Sequence, residues 1–245
     1  MKIKNLTITL ALSSFIFGQK EISNNFKNSQ KEKTIIRVKN PALSFIDIIH
    51  MFYPDKKNYG GIHSSAIVDK NVKLGNNVEI KANAVIENGV KIGDTVQIGS
   101  GTFIGKNTVI GNGSSISSNV SIYHNITIGT NCIIDSGTVI GSDGYGLISD
   151  NNEHYKIPHI GSVSIGNNVW IGSNCCIDRG TLTNTIIDEG TKLDNLIQIA
   201  HNVKIGKNCR ISGQTAIAGS SILEDNIAIG GQVGIIDHLH IGARG

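Results

Sequence analysis

Two histidines and the polar run before them are the residues best suited to chemistry in this sequence. His201 lies in the stretch QIAHNVKIG, residues 198–206, and His238 follows 37 residues later. An imidazole titrates near neutrality, so either ring could act as a general base. Asp194 and Asn195 lie one six-residue step before Ala200 and His201, and could reach a sugar or a histidine across a subunit interface. The alternative is that all four are solvated turn residues.

A six-residue repeat must position these side chains. Stepping by six from Ile62 gives fourteen consecutive aliphatic residues, ending at Ile140, and the row resumes at Ile165 and again at Ile187. Each hexapeptide is a short strand with a turn, and its aliphatic anchor is buried only when neighbouring coils stack on it. The sequence therefore predicts a mainly β fold, a parallel β-helix over residues 61–245. Neighbouring coils lie about 4.8 Å apart, so His201 and His238 are expected on one edge, about 10 Å apart.

Two segments interrupt the repeat. Residues 141–161, GSDGYGLISDNNEHYKIPHIG, break the register completely, and residues 177–186 shift it by four. The first predicts a loop that projects from the coils, and such loops usually form binding surfaces. Residues 1–60 lack the repeat and are predicted to form a short α/β segment, with a strand over 34–39 and a helix over 40–52.

A metal site is the competing interpretation of three other histidines. His154 and His159 form an H-x4-H pair, and His124 lies thirty residues before His154. Zinc-dependent carbonic anhydrases of the gamma class use three histidines on a hexapeptide β-helix. Here the pair falls inside the unregistered loop beside Pro158, without the rigid placement that a metal site needs. The sequence therefore predicts no metal.

Composition excludes several classes of protein. The net charge of +3 comes without a dense Lys/Arg block, which argues against a nucleic-acid partner. Four cysteines without a CxxC pair are expected to be small buried apolar residues in a reducing compartment. The N-terminal MKIKNLTITLALSSFIFGQ is too short to span a membrane and lacks a cleavage site, so a buried strand is favoured over a secretory signal. We expect no integral membrane segment and a cytoplasmic protein, with peripheral attachment to the inner membrane as the alternative.

Longer motifs resemble one family, the UDP-3-O-acylglucosamine N-acyltransferases, which are left-handed β-helix enzymes of lipid A biosynthesis. The matching stretches are KNPALSF, AIVDKNVKLGNNVEIKANAVIENGVKIGD, GSDGYG with KIPHIG, and IDRGTLTNTIIDEGTKLDNLIQIAHNVKIG. The order DRG, KLDN and QIAHNV is the most specific part, because a generic hexapeptide repeat does not produce it. The resemblance covers roughly residues 34–245 and implies a left-handed β-helix here.

The resemblance also implies a reaction and its participants. A homotrimer with sites between subunits would move a 3-hydroxyacyl chain from acyl carrier protein to the 2-amino group of the UDP-sugar. His201 matches the general base, His238 a second histidine near the substrate phosphates or the developing oxyanion, and Gly219 a backbone N–H donor to that oxyanion. No cofactor or metal is implied, since the donor is the phosphopantetheine thioester of acyl carrier protein. The expected substrate-binding residues are Asp194, Asn195, Gln198 and His238.

The chain departs from the family pattern at both ends. Only about sixty residues precede the repeat where the family has a full uridine-binding domain, and the chain ends seven residues past His238. We therefore expect a shortened uridine-binding-like segment over residues 1–60 and weak binding of UDP. Two alternatives stay open: a non-catalytic β-helix remnant, and another hexapeptide acyltransferase such as the UDP-N-acetylglucosamine O-acyltransferase. The run KLDN…QIAHNV favours the N-acyltransferase over the latter.

Overall fold

The computed structural model describes residues 38–54 and 60–242 in two separate compact units. In the first unit, helix α1 spans Pro41–Phe52. Asn40 caps it, because its side-chain oxygen accepts the backbone N–H groups of Ala42 and Leu43 at 3.1 and 3.2 Å. Pro41 stands at the first helical turn, where a missing N–H costs nothing. The predicted helix is confirmed.

Two other predictions for the N-terminal part fall beyond the described residues. They are the apolar N-terminal stretch and nearly all of the strand expected over 34–39. Within the described residues, no helix combines the length and the apolar character needed to cross a membrane.

The second unit is a parallel β-helix, so the predicted fold class is confirmed. Its strands form three nine-stranded sheets, each built from every third strand of the chain, and a separate two-stranded hairpin. Sheet A begins with β1, sheet B with β2 and sheet C with β3. The strands β1 to β29 are, in chain order, Gly61–Ile62, Ile67–Val68, Lys73–Leu74, Glu79–Ile80, Val85–Ile86, Lys91–Ile92, Gln97–Ile98, Phe103–Ile104, Val109–Ile110, Ser115–Ile116, Ser121–Ile122, Thr127–Ile128, Ile133–Ile134, Val139–Ser142, Leu147–Asp150, Glu153–Lys156, Val163–Ile165, Trp170–Ile171, Cys176–Asp178, Thr185–Ile187, Lys192–Leu193, Gln198–Ile199, Lys204–Ile205, Arg210–Ile211, Ala216–Ile217, Ile222–Leu223, Ala228–Ile229, Gly234–Ile235 and His240–Ile241.

The aliphatic anchors form the core of the coil, as the repeat predicts. Ile98, Ile104 and Ile110 are at most 1% exposed, and each belongs to a different sheet. Anchors of the first coil are more open, with Ile62 51% and Leu74 37% exposed, because they lie at the end of the stack. An inward-facing residue is therefore buried by the coils above and below it, and only secondarily by its own coil.

A second inward row lies two residues before each anchor and contains several hydroxyl groups. Thr102 and Thr108 are fully buried, and they donate hydrogen bonds to the carbonyls of Ser117 and Tyr123 at 2.8 and 2.9 Å. These contacts satisfy polar groups that would otherwise be costly to bury. The hydroxyls therefore fasten successive coils together.

The four cysteines are free thiols. Cys132, Cys175 and Cys209 are buried in the same inward row, which confirms the expectation that they act as small core residues, whereas Cys176 is half-buried. Burial raises the pKa of the Cys175 thiol to about 11. A thiol with that pKa stays protonated at neutral pH and is a poor nucleophile.

Both interruptions of the repeat keep the strands in register while adding chain at a corner. Across the first, Ile140 pairs with Ile177, and the added residues include the antiparallel hairpin β15–β16. Asn151 and Asn152 turn this hairpin with φ angles of 48° and 63°, as a type I′ turn requires. The predicted projecting loop is confirmed. Across the second interruption, Ile165 pairs with Ile187.

Removing an anchor should cost far more stability than removing its outward neighbour. Ile134 is fully buried and Ile133, the adjacent residue in β13, is 46% exposed. We expect Ile134→Ala to lower the free energy of unfolding by about 2–5 kcal/mol, since it leaves a cavity between coils. The matched control Ile133→Ala should cost less than ~1 kcal/mol. Urea unfolding followed by circular dichroism measures both, and equal losses would contradict the assigned register.

Candidate functional site

The corner between sheets B and C carries the predicted catalytic residues. His201 turns the chain from β22 to β23, and Gly219 holds the same position one coil later. The backbone N–H of Ser220 donates to the carbonyl of His201 at 2.9 Å, and that of His238 to the carbonyl of Gly219 at 3.0 Å. The predicted alignment of His201 and His238 along one edge is therefore confirmed. His238 is exposed and takes a left-handed φ of 54°.

Asn202 fixes the protonation pattern of the His201 ring. Its side-chain oxygen accepts the backbone N–H of Thr181 at 3.0 Å and lies 3.0 Å from Nδ1 of His201. Because this oxygen is an acceptor, Nδ1 of neutral His201 carries the proton and Nε2 keeps its lone pair. Thr183 completes the arrangement, since its hydroxyl oxygen accepts from the Asn202 side-chain nitrogen at 2.9 Å. His201 can therefore accept a proton at Nε2.

Two glycines confine the imidazole of His201. A Cβ on Gly219 would lie 2.8 Å from both Cε1 and Nε2 of His201, and a Cβ on Gly144 would lie 2.8 Å from its Cβ and Cδ2. Real side chains essentially never approach this closely, so a side chain at either position would have to displace the His201 side chain. The backbone N–H of Gly219 donates to no acceptor within residues 38–54 and 60–242. An open amide thus lies beside the basic nitrogen.

The projecting loop closes over this corner. The segment after its return strand places the buried ring of His159 against His201, with ring centroids 5.2 Å apart and planes inclined by 68°. Nδ1 of His159 lies 2.8 Å from the carbonyl of Ile157, to which it donates. Nε2 of His159 is buried and has no hydrogen-bond partner. The loop therefore adds a second imidazole to the site.

Asp178 places a buried carboxylate near both imidazoles. Its two oxygens accept hydrogen bonds from the hydroxyl of Ser142 and the side-chain amide of Gln198, each at 3.0 Å. Burial raises the pKa of Asp178, and the hydrogen bonds from Ser142 and Gln198 together with the nearby His201 and His159 side chains oppose that rise. Gln198, expected to bind substrate, thus holds Asp178 in this structure.

Arg179 anchors the base of the loop. It is 2% exposed, and its Nε donates to the carbonyl of Gly141 at 2.7 Å. Its two terminal nitrogens lie 2.8 Å from Nε2 of His124 and 3.1 Å from the carbonyl of the same residue. The guanidinium has no acceptor, so His124 accepts as a neutral ring, and burial followed by the Arg179 charge lowers the pKa of His124.

The histidines considered for a metal do not meet. His124 faces Arg179, His159 packs on His201, and His154 lies on the exposed hairpin beside the Ser149 hydroxyl at 2.9 Å. Across the described part of the chain, no group of three His, Cys, Asp or Glu residues is arranged to hold a metal ion. These residues therefore do not offer the donor set that zinc requires.

Asp194 and Asn195 lie at a different corner, between sheets A and B. Asp194 accepts the backbone N–H of Gly213 at 3.0 Å, and Asn195 accepts that of Ser173 at 2.7 Å. Both side chains are exposed. Within one chain, the fold does not bring them to His201.

Sequence reasoning missed the residues that support His201. Asn202, Thr181 and Asp178 had no assigned role, and His159 was considered only as a metal ligand. The available signal was the place of Asp178, Thr181 and Asn202 in the motifs IDRGTLTN and QIAHN, and of His159 in KIPHIG. Thr181 and Asn202 lie 21 residues apart and Asp178 and Gln198 lie 20 apart, and His159 contacts His201 from an even more distant segment, so no local pattern reveals these contacts.

Comparison with known proteins agrees with this fold. The family model "Bacterial transferase hexapeptide (six repeats)" matches residues 62–106 and 107–142, and "Hexapeptide repeat of succinyl-transferase" matches residues 162–182. A UDP-3-O-acylglucosamine N-acyltransferase from Methylacidiphilum infernorum is 53% identical over 203 residues, covering 82% of this chain and 58% of that protein. A Legionella pneumophila protein named UDP-3-O-acylglucosamine N-acyltransferase 1 is 46% identical over 185 residues, covering 76% and 53%.

The chain is a hexapeptide-repeat homologue of the UDP-3-O-acylglucosamine N-acyltransferases. The resemblance of the motifs is thereby confirmed, although this chain spans only 29% of the Methylobacterium nodulans relative, with which it shares 45% identity over 103 residues. Among solved structures, LpxA from Acinetobacter baumannii matches with a TM-score of 0.55 and 25% identity, over 74% of this chain and 62% of that one. LpxA of Bacteroides fragilis, a UDP-N-acetylglucosamine acyltransferase, has a TM-score of 0.52 and 28% identity, over 69% and 57%.

Filling the space beside Nε2 should shield His201 from reagents. The variant Gly219→Ala would place a methyl group 2.8 Å from Nε2 of His201, and the backbone of Gly219 is not in the left-handed region. We expect diethyl pyrocarbonate to modify His201 several-fold more slowly in this variant, as peptide mass mapping would measure. Gly234→Ala is the matched control, because a Cβ there meets nothing within 4 Å. Equal modification rates in the two variants would contradict the close approach of Gly219 to the His201 ring.

Proposed function

We propose that this protein is an N-acyltransferase. It moves a 3-hydroxyacyl chain from acyl carrier protein to the 2-amino group of a UDP-3-O-acylglucosamine acceptor, without a resident cofactor. The homologues named for this activity support the assignment. The observation that carries it is the His201 corner, where a free Nε2 lone pair lies beside the open amide of Gly219. The reaction belongs in the cytoplasm, where acyl carrier protein is available.

The chemistry follows from these two groups. As the amine nitrogen attacks the thioester carbonyl, Nε2 of His201 takes one N–H proton, and the new N–C bond forms. The carbonyl oxygen becomes negatively charged and accepts a hydrogen bond from the backbone N–H of Gly219. When the C–S bond breaks, the sulfur leaves as thiolate and receives the proton from the His201 imidazolium. An amide and a free thiol result, so atoms and charge balance.

His238 lies on the same edge, two coils beyond His201, and is exposed to solvent. That placement suits contact with the diphosphate of a nucleotide-sugar or with the oxyanion. An exposed imidazole there can donate a hydrogen bond to an anionic group of the substrate. We assign it to substrate binding.

A trimer is part of the proposal, and the outward surface of sheet B supports it. Its nine outward residues carry no charge, whereas sheet A presents Glu79, Lys192 and Arg210, and sheet C presents Lys73, Lys91 and Lys204. Uncharged surface is typical of interface cores. The sheet B residues are Ile67, Val85, Phe103, Ser121, Val139, Cys176, Gln198, Ala216 and Gly234.

The two edges of sheet B supply the two halves of the site. His201 lies at the corner with sheet C, and Asp194 with Asn195 lies at the corner with sheet A. Three copies packed cyclically through sheet B would bring the Asp194 corner of one chain toward the His201 corner of the next. This explains how residues that stay apart in one chain could bind one substrate.

A second candidate is O-acylation of UDP-N-acetylglucosamine. Two matching solved structures are LpxA proteins with 25% and 28% identity to this chain, and the one from Bacteroides fragilis is named a UDP-N-acetylglucosamine acyltransferase. The higher identity to the N-acyltransferases, 53% and 46%, favours an amine acceptor. Offering both acceptors with the same acyl donor separates the two, and turnover of neither would favour a non-catalytic β-helix.

Loss of the base should abolish turnover without unfolding the coil. His201 is half-buried at a corner, outside the aliphatic column, so His201→Ala leaves no core cavity. We expect N-acylation to fall ~10²–10⁴-fold, the usual worth of a general base. The matched control His154→Ala, on the exposed hairpin, should keep full activity. Near-normal turnover of His201→Ala with an acyl carrier protein donor would reject His201 as the base.

A charge placed on sheet B should weaken assembly. Val85 and Val109 are both half-buried outward residues, on sheets B and C respectively. We expect sedimentation velocity to give a mass of about three chains for the protein and for Val109→Glu. Val85→Glu should shift the mass toward one chain, because a buried carboxylate is costly. A monomeric parent protein, or dissociation caused only by Val109→Glu, would refute the sheet B interface.

A further inference from the structure

His159 presents a feature that packing alone does not explain. Its ring is 6% exposed, and Nε2 has no hydrogen-bond partner. A buried acceptor left unpaired is destabilising, because it has lost its hydrogen bonds to water. A phenylalanine would fill the same space without that cost. The unpaired Nε2 of His159 is therefore better explained by function than by packing.

Nε2 of His159 and the ring of His201 lie close to the same point beside Gly144. A Cβ on Gly144 would lie 2.9 Å from Nε2 of His159 and 2.8 Å from Cδ2 of His201, so the two atoms flank the same point. The Cδ2–H edge of an imidazole is its electropositive side, and protonation makes it more so. A lone pair next to that edge favours the protonated form of His201.

The tautomer of His159 keeps that lone pair in place. Nδ1 donates to the carbonyl of Ile157 at 2.8 Å, so the neutral ring carries its proton there and Nε2 stays unprotonated. A second proton on Nε2 would leave a buried N–H without an acceptor. His159 is therefore suited to remain an acceptor.

We propose that His159 is a positioning residue for His201, and that its Nε2 lone pair stabilises the imidazolium that His201 becomes during acyl transfer. The role in transfer rests on the proposed function, whereas the contact with His201 does not. His159 acts through His201 and touches neither reacting atom.

The other charged groups around the pair are compatible with this role. Asp178, on β19, is the nearest anionic group tied into the site, through Ser142 and Gln198. On the loop, Asp143 forms an ion pair with Lys156 at 2.7 Å, and hydrogen bonding from Lys156 lowers the pKa of Asp143. The guanidinium of Arg179 is engaged by the carbonyl of Gly141 and by His124. These groups are the same in each variant below.

The decisive variant is His159→Phe, which keeps an aromatic ring and removes the lone pair. We expect thermal unfolding at the same or a higher temperature, since an unpaired acceptor disappears. With the substrate absent, NMR should show the titration midpoint of His201 at lower pH. If the chain is an N-acyltransferase, kcat should fall about threefold to tenfold at an unchanged KM, because His201 is a weaker base. The ascending limb of the pH–rate profile should move to lower pH.

Two further variants complete the test. His159→Gln retains a donor for the Ile157 carbonyl and an acceptor oxygen, so it should restore the titration midpoint of His201 and most of kcat. His154→Phe makes the same substitution on the exposed hairpin of the same loop and should change neither. A folded His159→Phe protein with the parent titration midpoint would overturn the proposal. A shifted midpoint in a chain without acyltransferase activity would uphold the contact and refute the proposed function instead.

Discussion

Every feature of this protein depends on the stacking of one coil on the next. Such short strands cannot bury their aliphatic anchors alone. The column of isoleucines is shielded from water only because Ile98, Ile116 and their equivalents pair in register from coil to coil. Backbone hydrogen bonds between coils add to this constraint, and buried hydroxyls such as that of Thr102 satisfy the polar groups inside. A corner residue is therefore held by two neighbouring coils, which suits a site that needs fixed geometry.

The two interruptions of the repeat converge on one corner. The first supplies Gly144 and His159, which pack on His201, and the second supplies Thr181 and Thr183, which hold Asn202. The strands on either side of each still pair, with one local register shift between Ile140 and Ser142. The regular coils thus hold the corner in a fixed geometry, and the inserted residues add polar side chains that the uniform repeat lacks.

Polar groups are buried here in unusual number for so apolar a coil. Asp178 and Arg179 are adjacent, yet they do not pair, since each has its own neutral partners. Hydrogen bonds replace the water that each charge loses, which limits the cost of burial. The arrangement leaves a carboxylate near the imidazoles of His201 and His159. In the proposed reaction, this carboxylate would stabilise a positive charge on His201.

The sequence by itself determined the β-helix, the helix at 41–52, the projecting loop and the alignment of His201 with His238. The β-helix, the loop and the alignment follow from the six-residue period. Each aliphatic anchor meets the same buried environment, so the pattern itself indicates which residues face inward. Only the tertiary structure decided that Asn202 orients His201, that His159 covers it, and that Gln198 holds Asp178. These contacts depend on residues of the two interruptions, in which the six-residue period is lost. Contacts between such segments and the regular coils leave no signature in the local spacing of residues.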